Sequence, residues 1–374
     1  MKKVGIAELP LHHGTCPPWL FKRMVKLSRI ICEIIISEFG VNELLIRLSD
    51  PFFFQSLGCV LGYDYHSSGI TTTVTAALKE ALNKEEYGVA VCGGKGKTSL
   101  KTPREIVKIG EVFGFSDDKI RELQRVSRLV AKVDNAALQD GFQLYHHAMV
   151  ISEDGKWAVI QQGMCPLSKM ARRYHWLSLG LNSFVNEPHT AIVSDVMRSK
   201  VLDMTAKKSE ECRKISLDLV KDNPKKLQKL FLSVVRDPKQ KTLFDIEKTR
   251  RSLDVPVLVM PRRIDWKAVK KAYELQPRNY EELLLIKGLG PGAIRALALI
   301  SEIIWGAPPS WKDPVKFSFA HGGKDGVPYP VNLKRMEKSA QILEEALKMA
   351  KIGEKERIKA LKRLRTILQK KSDS

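Results

Sequence analysis

Apolar positions recur at helical spacing over much of this chain. Over residues 18–39, Leu20, Met24, Leu27, Ile31 and Ile34 or Ile35 share a face, while Lys22, Arg23, Lys26 and Arg29 lie elsewhere. That pattern predicts a long amphipathic helix opening on Pro18. Residues 50–62 are aromatic and apolar throughout, and further helices are predicted over 71–82, 103–113 and 117–138. Residues 87–92 read as a short buried strand running into the glycine-rich Gly93–Ser99. The clearest β signal is a hairpin: apolar or aromatic runs at 143–152 and 156–162 flank the turn Glu153-Asp154-Gly155. Arg172, Arg173 and His175 are placed on a helix, and Asn186-Glu187-Pro188-His189 in a turn. Helical patterns dominate 195–231, and prolines at 238 and 256–261 suggest a boundary.

Beyond it, Asp265 is the expected N-cap of a helix to about Leu275. Residues 279–286 form a short apolar helix that enters Lys287-Gly288-Leu289-Gly290-Pro291-Gly292, with Ala293, Ala296, Leu297 and Ile300 continuing at helical spacing. This resembles a helix-hairpin-helix. The glycines are expected at positive φ, with Leu289 plugging the space between the helices. The unpaired N–H groups of the second helix would then hold a phosphate, helped by Lys287 and Arg295. A basic helix is expected over 354–371, with Ile358, Leu361, Leu364 and Ile367 as its apolar stripe.

The expected architecture is α+β and predominantly helical. Residues 1–205 form a catalytic domain with a small antiparallel sheet, 206–264 a helical connector, 265–308 the hairpin element, and 309–374 basic C-terminal helices. Sixty-three Lys and Arg against 42 Asp and Glu leave a net charge of +21, and the pI is near 9.6. Such a surplus favours polyanions through counterion release. Charge alone does not separate DNA from RNA. Six scattered cysteines without a Cys-x-x-Cys pair read as reduced, buried thiols rather than a zinc site. The longest apolar run, 30–36, is broken by Glu33 and too short for a bilayer, and no signal peptide opens the chain. A cytoplasmic, nucleoid-associated protein with no membrane role is expected.

Gly96-Lys97-Thr98 follows a strand as a phosphate loop would, but the position five residues before Gly96 is Val91, not glycine. Lys95 and Lys97 are therefore expected to touch a nucleic-acid backbone rather than a nucleoside triphosphate. Phosphodiester cleavage needs oxygen ligands for Mg²⁺ or Mn²⁺, a group that activates water, and cations for the developing charge. Asp64, Asp134 and Asp140 are the candidate metal ligands. His146 or His147 would act as base or ligand, Gln161 or Gln162 would orient water, and Arg172 and Arg173 would steady the phosphate. Strand alternation puts His146 and His147 on opposite faces, so only one can line a given site. The arrangement resembles restriction-type nucleases, though the expected Lys is replaced by Gly163-Met164. The hairpin also resembles that of base-excision glycosylases, but the position of their catalytic Lys is Gly292, and Asp313 lies beyond the usual spacing.

Long strings carry a more extensive resemblance: Gly5-Ile6-Ala7-Glu8-Leu9-Pro10-Leu11-His12, then 50–62 with Asp64 and His66-Ser67-Ser68-Gly69, Gln139-Asp140-Gly141-Phe142-Gln143-Leu144-Tyr145-His146-His147, Gln161-Gln162-Gly163-Met164 and Ala171-Arg172-Arg173-Tyr174-His175-Trp176. Through them nearly the whole chain resembles a family of archaeal and thermophile proteins known as domain of unknown function 763. The resemblance implies no established reaction, and Cys165 stands where the family has asparagine. The expected function is DNA repair or processing by a metal-dependent nuclease with a sequence-independent backbone grip. The alternative is a non-catalytic DNA-binding module that recruits a helicase or other repair protein, in which the side chains around Asp140 and His147 are too far apart to share an ion.

Overall fold

The computed structural model describes residues 16–63, 68–82, 87–194, 197–235 and 259–315, with isolated positions between 341 and 361. Asp64, His66, His12, His13 and most of the expected basic C-terminal helix lie outside the described residues.

Four helices open the fold: α1 (Pro18–Phe39), α2 (Val41–Ser49), α3 (Pro51–Val60) and α4 (Gly69–Leu82). Proline stands at the first turn of α1, where its missing N–H costs nothing, and the apolar stripe buries Met24, Ile31 and Ile35. Asp50 caps α3 by accepting hydrogen bonds from the Phe52 and Phe53 amides at 2.8 and 3.2 Å. Every residue of α3 is buried. That explains why residues 50–62 carry no amphipathic period: a helix enclosed on all sides needs none.

These helices cover one face of a five-stranded antiparallel sheet in the order β1-β3-β4-β5-β6, built from β1 (Val89–Lys95), β3 (Gln143–Ser152), β4 (Trp157–Cys165), β5 (Met170–Leu177) and β6 (Ala191–Val193). A two-residue strand β2 (Leu138–Gln139) pairs with β7 (Leu202–Asp203) apart from it. The β3–β4 hairpin lies where its apolar pattern predicts. β1 runs further than expected, because Gly93 and Gly94 pair with Ala148 and His147. At Gly93 (φ +85) a Cβ would stand 2.2 Å from the His147 carbonyl oxygen, so only glycine allows this approach. Gly93 is gripped on both sides: its N–H donates to Glu105 at 2.7 Å, and its carbonyl accepts from Lys79 at 3.0 Å.

Arg172, Arg173 and His175 stand on β5, not on a helix. Both faces of this strand are covered, so its side chains are all inward and its sequence shows no polar-out alternation. Arg172, Tyr174 and Trp176 face one layer, and Arg173, His175 and Leu177 the other.

On the far face lie α5 (Thr102–Val112) and α6 (Asp117–Lys132), then α7 (Glu210–Lys221), α8 (Pro224–Val235), α9 (Trp266–Leu275), α10 (Tyr280–Leu285) and α11 (Pro291–Trp305). Ser116 caps α6 and two aspartates fill its first turn. The predicted continuation to 138 is interrupted, because α6 passes at Val133–Ala137 into a π turn that carries Asp134 inward. Val126, Val130, Val201, Leu219, Leu284 and Ile294 belong to one core. Residues on both sides of positions 205 and 264 contribute to that core. The fold is α+β and predominantly helical, and no described helix is long and apolar enough to cross a membrane. All six cysteines are free, and all but Cys16 are buried.

Candidate functional site

The sheet carries a polar cluster on each face. On the α6 face Asp134 is fully buried, and its Oδ2 accepts from Gln161 Nε2 and, at 2.9 Å, from Trp176 Nε1. Its Oδ1 bonds His189 Nε2, whose ring packs edge-on against Trp176 at 4.4 Å between centroids. Gln161 Oε1 meets His147 Nδ1 at 2.9 Å, and His147 Nε2 meets Ser127 Oγ at 2.9 Å. Burial pushes the His147 pKa below its usual value, against the opposing pull of Gln161 and Asp134. His147 is therefore neutral at pH 7.

A second group on this face is structural. Arg172 has no exposed surface. It bonds Asp313 through two parallel contacts of 3.0 and 2.7 Å and Asp140 at 3.0 Å, and its guanidinium lies 4.5 Å from the Phe142 ring centroid. Asp140 also accepts from Tyr174 (2.7 Å) and from the Phe142 amide (3.0 Å). Burial raises the Asp140 pKa, while Arg172, Tyr174 and that amide oppose the rise. Burial alone would lower the Arg172 pKa, but Asp140 and Asp313 reverse this and hold it above its normal value.

On the α4 face, His146 Nε2 bonds Thr75 Oγ1 at 3.1 Å. Gln162 Nε2 donates to the Ser68 carbonyl at 2.9 Å and to the Tyr145 hydroxyl. Arg173 donates to His175 Nε2 (2.9 Å), Thr71 Oγ1 (3.3 Å) and Gln55 Oε1 (3.2 Å). Burial pushes the His146 pKa down to about 3, and that of His175 well below its usual value. Among the described residues His146 Nδ1 and Gln162 Oε1, both buried, meet no hydrogen-bond partner.

Several expectations change here. Arg172 and Arg173 hold buried side chains together and do not reach a phosphate. Asp134 and Asp140 are committed to separate hydrogen-bond sets, and no group of three or more His, Cys, Asp or Glu able to hold a metal occurs among the described residues. His146 with Gln162, and His147 with Gln161, are separated by the sheet itself, as alternation requires. Ser127 and His189 join the site without having been expected in it. The one signal for Ser127 is a hydroxyl within the buried run Val126, Leu129, Val130. His189 follows Pro188 in the segment read as a turn.

His147, Gln161 and Ser127 line a cleft of about 830 Å³. Its wall on α6 is basic: Arg121, Arg125, Arg128 and Lys132 recur at steps of four, three and four, and among the described residues no acidic side chain lines the cleft. Arg121 and Arg125 pair with Asp118 and Glu281, whereas among the described residues Arg128 and Lys132 meet no carboxylate. Burial lowers the Lys132 pKa, and its ammonium donates to the Leu289 carbonyl at 3.1 Å. Lys95 and Lys97 are exposed on the nearby β1 end.

That carbonyl belongs to the turn between α10 and α11. Asn279 caps α10, Pro291 starts α11, and Leu289 is fully buried between them. Gly288 has the expected positive φ (+96), but Gly290 (φ −103) does not and serves as the N-cap residue of α11. Lys287 and Gly288 are exposed, and Gly290 and Gly292 are half-buried. The Asp265 carboxylate crowds Gly288: a Cβ there would lie 3.0 Å from Asp265 Oδ2. Arg295 turns inward to Gln139 (3.3 Å), because α11 packs on the body of the protein through that face.

Comparison with curated proteins and with solved structures returns no match. A family model matches residues 5–331, and with that span the chain belongs to the family described as Protein of unknown function (DUF763).

Proposed function

We propose that this protein binds DNA through its phosphate backbone, with the α6 cleft as the main contact and the exposed Lys287–Gly288 edge of the hairpin beside it. One observation supports the reading above the others: four cations recur along one side of the cleft, and among the described residues no carboxylate lines it. Ion pairs to backbone phosphates position a duplex without reading its sequence, so affinity should be broad in sequence and steep in salt. Separate engagement of Asp134 and Asp140 favours binding without a divalent ion over the metal-dependent nuclease.

Fluorescence anisotropy on labelled single- and double-stranded DNA tests this, with matched RNA as competitor. Replacing Arg121, Arg125 and Arg128 together by glutamate should weaken binding by at least about tenfold, and should flatten the salt slope by roughly 0.9 per lost duplex phosphate contact. Lys287→Glu should have a smaller effect in the same direction, and chelating divalent ions should change nothing. Unaltered affinity in the folded triple variant would remove the cleft from the contact surface. RNA competing better than DNA would change the ligand class.

A further inference from the structure

The hydrogen-bond chain beneath the cleft has only one consistent direction. The Val130 carbonyl can only accept, so Gln161 turns its amide N–H₂ toward it, at 3.4 Å, and toward Asp134, and presents its own carbonyl to His147. That carbonyl also only accepts, so His147 carries its proton on Nδ1. Nε2 is left with a lone pair, and the Ser127 hydroxyl donates to it at 2.9 Å. A serine hydroxyl, an imidazole with a free Nε2 and a carbonyl that fixes the tautomer are the parts of an activated oxygen nucleophile. His189 and Trp176 hold the far end of the chain by bonding Asp134.

A serine that merely satisfied a core histidine would make the same bond, but it would not stand at a basic opening. Ser127 and His147 both line the cleft, beside Arg128 and Lys132. We propose that Ser127 is a nucleophile, activated by His147, that accepts a phosphoryl group from a phosphodiester held in the cleft; the substrate class rests on the backbone-binding reading above.

In this step Ser127 Oγ attacks phosphorus as its proton passes to His147 Nε2. The P–O bond to one sugar breaks, and His147 returns the proton to the departing oxygen. A phosphoserine diester remains on the enzyme. Water then attacks the same phosphorus with His147 accepting its proton, the Ser127–phosphorus bond breaks, and the proton returns to Ser127. The sum is hydrolysis with no external oxidant or reductant. Arg128 and Lys132 offset the charge that grows on the phosphoryl oxygens. Gln161 and Asp134 are positioning residues that act through His147.

A small fluorophosphonate is the probe: its phosphorus takes the serine oxygen and releases fluoride and a proton. Reacted with the full chain, it should give a single adduct by intact-mass spectrometry, mapped to Ser127 by peptide analysis. The adduct should be absent from Ser127→Ala, with thermal unfolding as the check that its fold survives. His147→Gln should label at least about a hundredfold more slowly, in line with a general-base contribution of roughly 10²–10⁴. Gln161→Leu, which leaves Ser127 and His147 in place, should slow it to a lesser extent. Failure to label Ser127 in a chain that binds DNA overturns the nucleophile and leaves backbone binding intact. Labelling at an unchanged rate in His147→Gln overturns the activation. Labelled Ser127 in a chain that binds no DNA overturns the phosphodiester assignment alone.

Discussion

Replacing Arg172 by alanine is expected to cost about 3–5 kcal/mol of stability, read from urea unfolding, because it strands two buried carboxylates at once. Asp140 and the Asp313 side chain are as dry as the guanidinium that joins them. Among the described residues Asp140 would keep only Tyr174 and the Phe142 amide, and Asp313 would keep the Arg198 amide at 2.7 Å and the Val315 amide at 3.2 Å. Asp313 belongs to the segment after α11, so the same loss would unpin that segment from β5. Arg172→Met, which preserves much of the packing, should remain destabilised, since the missing partner is charge and not volume. Adding Asp140→Asn and Asp313→Asn to Arg172→Met should restore part of the loss. A cost below about 1 kcal/mol for Arg172→Ala would show that water reaches these carboxylates, as it does for exposed pairs.

The second large effect is acid sensitivity. His146, His147 and His175 are buried and neutral, each with its folded-state pKa below the unfolded value near 6.5. A depressed histidine contributes stability that is complete above about pH 6.5 and declines as pH falls, since the unfolded chain then takes up protons the folded chain refuses. For His146 the window runs from about 6.5 toward about 3, with a slope of up to about 1.4 kcal/mol per pH unit. The other two add to it in the same direction. Asp140 and Asp203, whose pKa values burial raises, act oppositely nearer pH 4. Urea midpoints at pH 7.5, 6, 5 and 4 should fall steadily, and His146→Gln should flatten the decline. A midpoint constant from pH 7.5 to 5 would contradict burial of these rings.

Elements with one wet face are legible in the amino-acid pattern. The α1 stripe, the Asp265 cap and the Pro291 start follow from local spacing, and the β3–β4 hairpin, though buried on both faces, is marked by its turn Glu153-Asp154-Gly155. α3 and β5 escape such a reading because enclosure on every side removes the alternation that reveals an element. The site is harder still. Asp134, Gln161 and His147 can be named individually from residue type, but their order along one hydrogen-bond chain depends on a π turn that no local rule announces. Ser127 lies 20 residues from its histidine, and His189 lies 55 from its aspartate. Only the pairing of strands and the packing of α6 bring them together. Arg172 and Arg173 suggest a phosphate clamp because surplus charge is usually outside. Here the layers packed on both faces of the sheet supply internal partners, and the charge is structural.

The arginines of β5 also matter before the sheet closes. A bare Met170–Leu177 segment, otherwise rich in aromatic and apolar residues, would be a template for edge-to-edge association between nascent chains. Two adjacent positive charges in its middle make self-pairing repulsive until Asp140, Asp313 and Gln55 arrive to receive them. The strand thus guards its own assembly, joining its rightful neighbours more readily than a second copy of itself.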